Sequence, residues 1–96
     1  MSLFNLKIIT PNGKIFDNAV RHVSAPGQGG RFGVLAKHAP ILALLNPGKL
    51  EVNTESATTF YDIGDGVLEV AGKDGVTVLC SSAVISSDKA QKEAVH

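Results

Sequence analysis

The sequence predicts an all-β sandwich or barrel, and three observations carry that prediction. Turn-forming clusters recur roughly every ten residues, the spacing of short strands. The segments between them alternate apolar and polar side chains, the period of a half-buried strand. Ten Gly and four Pro supply the turns, whereas helix-friendly residues gather only at the end of the chain. At 96 residues and 10.0 kDa the chain is one domain. Such a domain buries about two-thirds of its unfolded surface, so its core is modest.

Each element follows from local chemistry. Over Leu3–Thr10, Phe4, Leu6 and Ile8 share one face and Asn5 and Lys7 the other. Pro11-Asn12-Gly13-Lys14 is a turn, because Pro presets one backbone angle and Asn-Gly tolerates positive φ. Ile15-Phe16 begins a second strand, and Val20–Ala25 is a third, with Val20, His22 and Ser24 opposite Arg21 and Val23. Pro26-Gly27-Gln28-Gly29-Gly30 is expected to be a loop. Phe32–Leu35 and Ile41–Leu45 are apolar runs, the second without a polar member, so its inward set cannot be read from alternation. After the Asn46-Pro47-Gly48 turn, Lys49–Asn53 turns Leu50 and Val52 inward, and Thr58–Ile63 alternates less cleanly. Val67–Ala71 and Val76–Cys80 flank Gly72-Lys73-Asp74-Gly75, the clearest hairpin signal in the chain. Ser86-Ser87-Asp88 can cap a helix, with Asp88 and Gln91 as a capping box. The helix would be short, about 12 Å over Lys89–His96, and marginal alone. Residues 1–85 are thus expected to form the sandwich and 86–96 a short polar tail.

Composition narrows the function. Nine Lys+Arg balance nine Asp+Glu, unlike a dedicated nucleic-acid binder. The single Cys excludes a disulfide framework and a thiolate zinc cage. No apolar run approaches a membrane span, and Met1-Ser2-Leu3-Phe4-Asn5 has no signal-peptide character, so a cytosolic protein is expected. The first fifty residues hold six basic groups against Asp17, and the remainder holds three against eight acidic ones. That asymmetry suits a basic face for an acidic partner, but in a sandwich early and late strands interleave, and the halves of the sequence need not be halves of the molecule.

Catalytic chemistry is scarce. His22, His38 and His96 lack metal-ligand spacing. Cys80 ends an alternating strand, where a thiol usually acts as a small hydrophobe; a Cys80–His38 nucleophile pair has no supporting local signature. Asp62 and Asp65 lack the oxygen run and closing Glu of a calcium loop and read as turn acids. Gly27-Gln28-Gly29-Gly30-Arg31-Phe32-Gly33 fits no phosphate-loop pattern, and no capped helix follows it. It reads as a loop whose Arg31 is placed to touch a partner. No metal, nucleotide or other cofactor is expected.

A longer pattern runs through the middle: Pro26-Gly27-x-Gly29-Gly30-x-Phe32-Gly33-Val34-Leu35-x-x-His38-Ala39-Pro40-Ile41-Leu42-Ala43-x-Leu45-x-Pro47-Gly48-Lys49-Leu50. Around it stand Leu6-x-Ile8-Ile9-Thr10-Pro11-x-Gly13-x-Ile15-Phe16, Gly64-Asp65-Gly66-Val67-Leu68-Glu69-Val70 and Val76-Thr77-Val78-Leu79-Cys80. This ordered set, over about residues 3–85, resembles the epsilon subunit of F-type ATP synthase, called delta in mitochondria. The resemblance implies a flattened ten-stranded β-sandwich at the foot of the central stalk, bound to the gamma subunit and resting on the c-subunit ring. It implies a non-catalytic rotor subunit coupling proton translocation to ATP synthesis. Such a subunit is peripheral on the cytoplasmic face of the bacterial inner membrane and meets the membrane only through the complex. By the same resemblance His38, Ala39, Pro40, Ile41 and Leu42 are candidate gamma contacts, and Gly29, Gly30, Arg31 and Phe32 candidate c-ring contacts.

Three departures from the family pattern stand out. Arg31 occupies a position where many relatives carry an acidic residue facing a basic ring loop. Ala36-Lys37 replaces the usual proline turn before His38. About ten residues follow the sandwich where relatives carry a helical hairpin, and those residues would span about 16 Å if helical. No inhibitory extended hairpin and no ATP site are therefore expected. The alternative from another class is a free-standing β-sandwich module for peptide or carbohydrate, but such modules display aromatic rings, and this chain has no Trp, one Tyr and four Phe.

Overall fold

The computed structural model describes residues 2–36, 39–72 and 75–86. These form ten strands: β1 (Phe4–Thr10), β2 (Gly13–Val20), β3 (His22–Gly27), β4 (Gly30–Val34), β5 (Ile41–Leu45), β6 (Gly48–Asn53), β7 (Thr58–Ile63), β8 (Gly66–Val70), β9 (Val76–Cys80) and β10 (Ala83–Ile85). The all-β sandwich read from turn spacing is the fold. Strand order runs β10-β7-β6-β3-β5-β8-β9-β1-β2, with β4 on β3. Two layers result, β10-β7-β6-β3-β4 and β5-β8-β9-β1-β2. They meet at a corner where Gly27 of β3 pairs with Leu45 of β5. Bonds from Gln28 N to Leu44 O (3.0 Å) and from Asn46 N to Pro26 O (2.8 Å) flank that pair. Early and late strands do interleave: β1 lies between β9 and β2, and Lys49 of the basic half pairs with Asp62 of the acidic half at 2.8 Å.

Alternation places the core between the layers. Leu6, Ile8, Leu68, Val70, Val76 and Val78 point inward from one layer, and Val23, Ala25, Leu50, Val52, Tyr61 and Ile63 from the other. Close packing of two such faces makes a stiff body. Phe16 and Tyr61 join the layers edge to face, with ring centroids 6.2 Å apart. Cys80 is buried, as its strand context predicts.

Several local expectations change. The third strand begins at His22, not Val20, because the chain bends at Arg21; Val20 closes β2 and both Val20 and Val23 face inward. The glycine-rich segment is not a long loop. Gly27 pairs with Gly30, which leaves only Gln28-Gly29 as the turn, so Gly30, Arg31 and Phe32 are residues of β4. Positive φ at Gly30 (127°) is what lets the strand restart there. Ser86, expected at the start of a polar tail, is buried; its N donates to Phe60 O at 2.8 Å. The hairpin after β8 closes as expected, with Ala71 N donating to Gly75 O at 2.9 Å. The capped helix expected over Asp88–His96 and the turn at Lys37-His38 lie outside the described residues.

Candidate functional site

Strand direction sorts the connections onto two ends of the sandwich. The turns Pro11-Asn12, Gln28-Gly29, Asn46-Pro47, Gly64-Asp65 and Ser81-Ser82 share one end, called here the hairpin end. The start of β5, with Ala39 and Pro40, lies at the other, together with Arg21 and the β6–β7 turn. The two groups of candidate contacts therefore separate. Ala39, Pro40, Ile41 and Leu42 belong to the far end, and Gly29, Gly30, Arg31 and Phe32 to the hairpin end. His38 lies outside the described residues.

Register resolves the apolar run of β5. Ile41 is cross-strand from Val70 and Leu45 from Gly66, so Ile41, Ala43 and Leu45 face the core. Leu42 and Leu44 face out, 71% and 55% exposed. Ile41 sits at the rim of its layer and is partly exposed. The outward side of this layer carries a feature that no single strand announces. Leu44 pairs with Val67, Val67 with Leu79, and Leu79 with Ile9. Four apolar side chains thus form one row across β5, β8, β9 and β1. Leu79 is 48% exposed. A shallow depression of about 370 Å³ beside the row is bounded by Pro11, Asp65 and Ser81. A contiguous apolar row on an outer face, rimmed by polar turns, is the anatomy of a protein contact. The sequence signal for it is an apolar residue at the polar phase of β1, β8 and β9. Ile9 shares its phase with Asn5 and Lys7, Leu79 with Thr77, and Val67 with Glu69.

The outer face of the second layer is different in kind. Lys49 Nζ donates to Asp62 Oδ1 (2.8 Å) and to Ser86 Oγ (3.1 Å). Asn53 Nδ2 bridges His22 Nδ1 (3.2 Å) and Glu51 Oε2 (3.1 Å), and its Oδ1 accepts from Thr58 Oγ1 (2.5 Å). An open cleft of about 740 Å³ borders this chain at the far end, with Arg21, Leu35 and Thr54 on its walls. His22 there meets an amide, not a nucleophile. Arg31 is exposed but held: Nε donates to Ser24 Oγ (3.0 Å), and Nη2 donates to Ser24 O (3.3 Å) and Lys49 O (2.6 Å).

The remaining titratable groups read as structural. Burial raises the Cys80 thiol and the Tyr61 phenol above their ordinary values. Hydrogen bonds from Lys14 and Asn5 lower the exposed Asp17. Asp65 is the turn acid expected and accepts from Ser81 Oγ at 3.1 Å, whereas Asp62, also expected in a turn, is a residue of β7 paired cross-strand with Lys49. Among the described residues no three His, Cys, Asp or Glu gather as metal ligands. None of the five aromatic rings is exposed: Phe4, Phe16 and Phe32 pack on the core, Tyr61 is buried and Phe60 half-buried. This is a poor surface for sugar stacking.

Comparison with known proteins agrees with this anatomy. Residues 3–86 match the family described as ATP synthase, Delta/Epsilon chain, beta-sandwich domain. An ATP synthase epsilon chain of Caulobacter vibrioides is 38% identical over 88% of this chain and 96% of its own length. One from Campylobacter hominis is 40% identical over 82% of this chain, which spans only 62% of that relative. Among solved structures, a chain of the Euglena gracilis mitochondrial ATP synthase, in an OSCP/F1/c-ring assembly, superposes with TM-score 0.81 at 26% identity. It is matched over 97% of this chain and 62% of its own. A chain from the central stalk/c-ring of the Tetrahymena thermophila enzyme gives TM-score 0.73 at 12% identity, over 97% of this chain and 77% of that one, which is a likeness of fold alone.

Proposed function

Because this chain belongs to the ATP synthase delta/epsilon family through that family's β-sandwich domain, we propose that it is a non-catalytic central-stalk subunit. In this reading it links the gamma subunit to the c-subunit ring and so couples proton translocation to ATP synthesis. It would sit peripherally on the cytoplasmic face of a bacterial inner membrane, held there by the complex. The observation that carries the proposal is the row Leu44, Val67, Leu79 and Ile9, a continuous apolar strip across four strands on one outer face of the sandwich.

A rotor element does no bond chemistry. It must transmit torque, which requires a stiff body and two contacts that do not slip. The packed interior supplies the first. For the second, the strip and the exposed Leu42 form the gamma contact, with Ala39, Pro40, Ile41 and His38 as its continuation along the chain. The hairpin end, with Gly29, Gly30, Arg31 and Phe32, forms the c-ring contact. Support comes from the two surfaces lying on different layers, the row and Leu42 on the outer face of β5-β8-β9-β1 and Gly30, Arg31 and Phe32 on β4 of the other layer, since a linker needs distinct surfaces for its two partners. Coexpression of the tagged chain with gamma and the c subunit tests this. Capture of both is expected, and capture of neither overturns the proposal.

A further inference from the structure

Asn12 stands apart from the other four asparagines of the chain, because it alone is followed by glycine. It is exposed at the tip of the β1–β2 hairpin, where Thr10 pairs with Gly13. Thr10 Oγ1 accepts from Asn12 N at 3.1 Å and donates to Gly13 O at 3.3 Å, so the backbone of the turn is tied. Among the described residues no hydrogen bond holds the Asn12 carboxamide. Gly13 has a φ of 120° and open space where a Cβ would sit, so no side chain and no neighbour on that side hinders its N.

Each of the other asparagines is blocked from attack by the next backbone nitrogen. Asn5 Nδ2 donates to Asp17 Oδ1 at 3.0 Å, and the residue that follows is the buried Leu6. Asn18 Oδ1 accepts from Ala19 N at 2.8 Å, the nitrogen that would have to attack its own side chain. Asn46 precedes Pro47, whose N carries no proton. Asn53 is held at both ends of its carboxamide, and Thr54 N is engaged with Ala57 O at 2.9 Å.

We propose that Asn12 is a self-modification site, converted in the folded protein to aspartate and isoaspartate with water as the co-reactant. Asparagine is a thermolabile residue, and exposed turn tips are where covalent change concentrates. Gly13 N bonds to Asn12 Cγ, the Cγ–Nδ2 bond breaks, and Nδ2 leaves as ammonia with the Gly13 amide proton. Water then opens the cyclic imide. Breakage of its N–Cγ bond leaves aspartate; breakage of its N–C bond leaves isoaspartate, whose main chain runs through Cγ. No atom is oxidised or reduced. Either product puts a carboxylate next to Pro11, on the rim of the depression beside the apolar row, in place of a neutral amide. The proposal concerns the turn itself and does not depend on what the chain binds.

The test incubates the full folded chain at neutral and at mildly alkaline pH and maps it by trypsin and mass spectrometry. Cleavage after Lys7 and Lys14 isolates Asn12 in the peptide Ile8–Lys14, and the other four asparagines fall in other peptides. The expected result is the mass gain of an NH2-to-OH exchange in Ile8–Lys14 alone, faster at the higher pH because loss of the Gly13 amide proton activates its N. An isoaspartyl methyltransferase with a labelled methyl donor should then mark that peptide. Asn12→Gln, whose side chain would have to close a larger ring, should lose both signals there. Conversion of another asparagine peptide at the same rate, or signals in Ile8–Lys14 that persist in Asn12→Gln, overturns the proposal. So does conversion confined to the chain unfolded in urea, because the fold would then shield the turn.

Discussion

Replacing Leu44 and Leu79 together by Thr examines the outer apolar row where it is most exposed. Threonine keeps strand propensity and branching while adding a hydroxyl, so the sheet should tolerate it. Both leucines are about half uncovered in the free domain, at 55% and 48% exposure. Full burial of a Leu side chain stabilises by about 1.5–3 kcal/mol, so covering the remaining half of each contributes roughly 1 kcal/mol. The pair should therefore cost gamma binding about 2 kcal/mol, or roughly thirtyfold in Kd. Titration calorimetry of the wild-type and L44T/L79T chains against gamma reads the affinity, and thermal melts read the fold. The expected result is the weaker Kd with a melting temperature close to wild type. Undiminished affinity would remove the row from the interface, and collapse of the isolated variant would assign these leucines to the core.

Further outcomes follow from the same geometry. Leu42→Asp should weaken gamma binding without moving the melting temperature, whereas Ile41→Asp should lower both, because Ile41 lies on the core side of β5 opposite Val70. Gly66→Ala should destabilise the domain by about 1–3 kcal/mol in urea titration, since a Cβ there would press on Leu79 O and lie 2.8 Å from Cys80 Cα, both backbone. Burial raises the Cys80 and Tyr61 pKa values. The unfolded chain then releases those protons first, and stability should fall as pH climbs above about 8.5. Melts from neutral to alkaline pH should show that decline, and Cys80→Ala should make it shallower at its lower end.

Much of this architecture is legible in the residues, and what is not has a physical cause. Strands with one wet face announce themselves: β1, β6 and the β8–β9 hairpin alternate cleanly and fold as read. β2 does not alternate in burial, because it is an edge strand with exposed residues on both faces and a bulge that leaves Ile15 opposite no residue of β1. The segment from Gly27 to Gly33 reads as a loop because glycine breaks strands in isolation, yet cross-strand pairing with β3 imposes the conformation. The continuous run of β5 carries no phase of its own, and only pairing with β8 reveals which leucines face out. Three members of the apolar row, Ile9, Val67 and Leu79, are legible as out-of-phase residues, but the row assembles only once the register of four strands is known. Arg31 reads as a free loop residue. Its restraint comes from Ser24 and from Lys49, which is eighteen residues away in sequence.

The most direct test of the passive-coupling account is ATP-driven proton pumping by the reconstituted synthase with and without this chain. With it, ATP hydrolysis should acidify the vesicles; without it, hydrolysis should continue while pumping fails. Pumping of equal strength in its absence would contradict the claim that this sandwich joins the stalk to the ring.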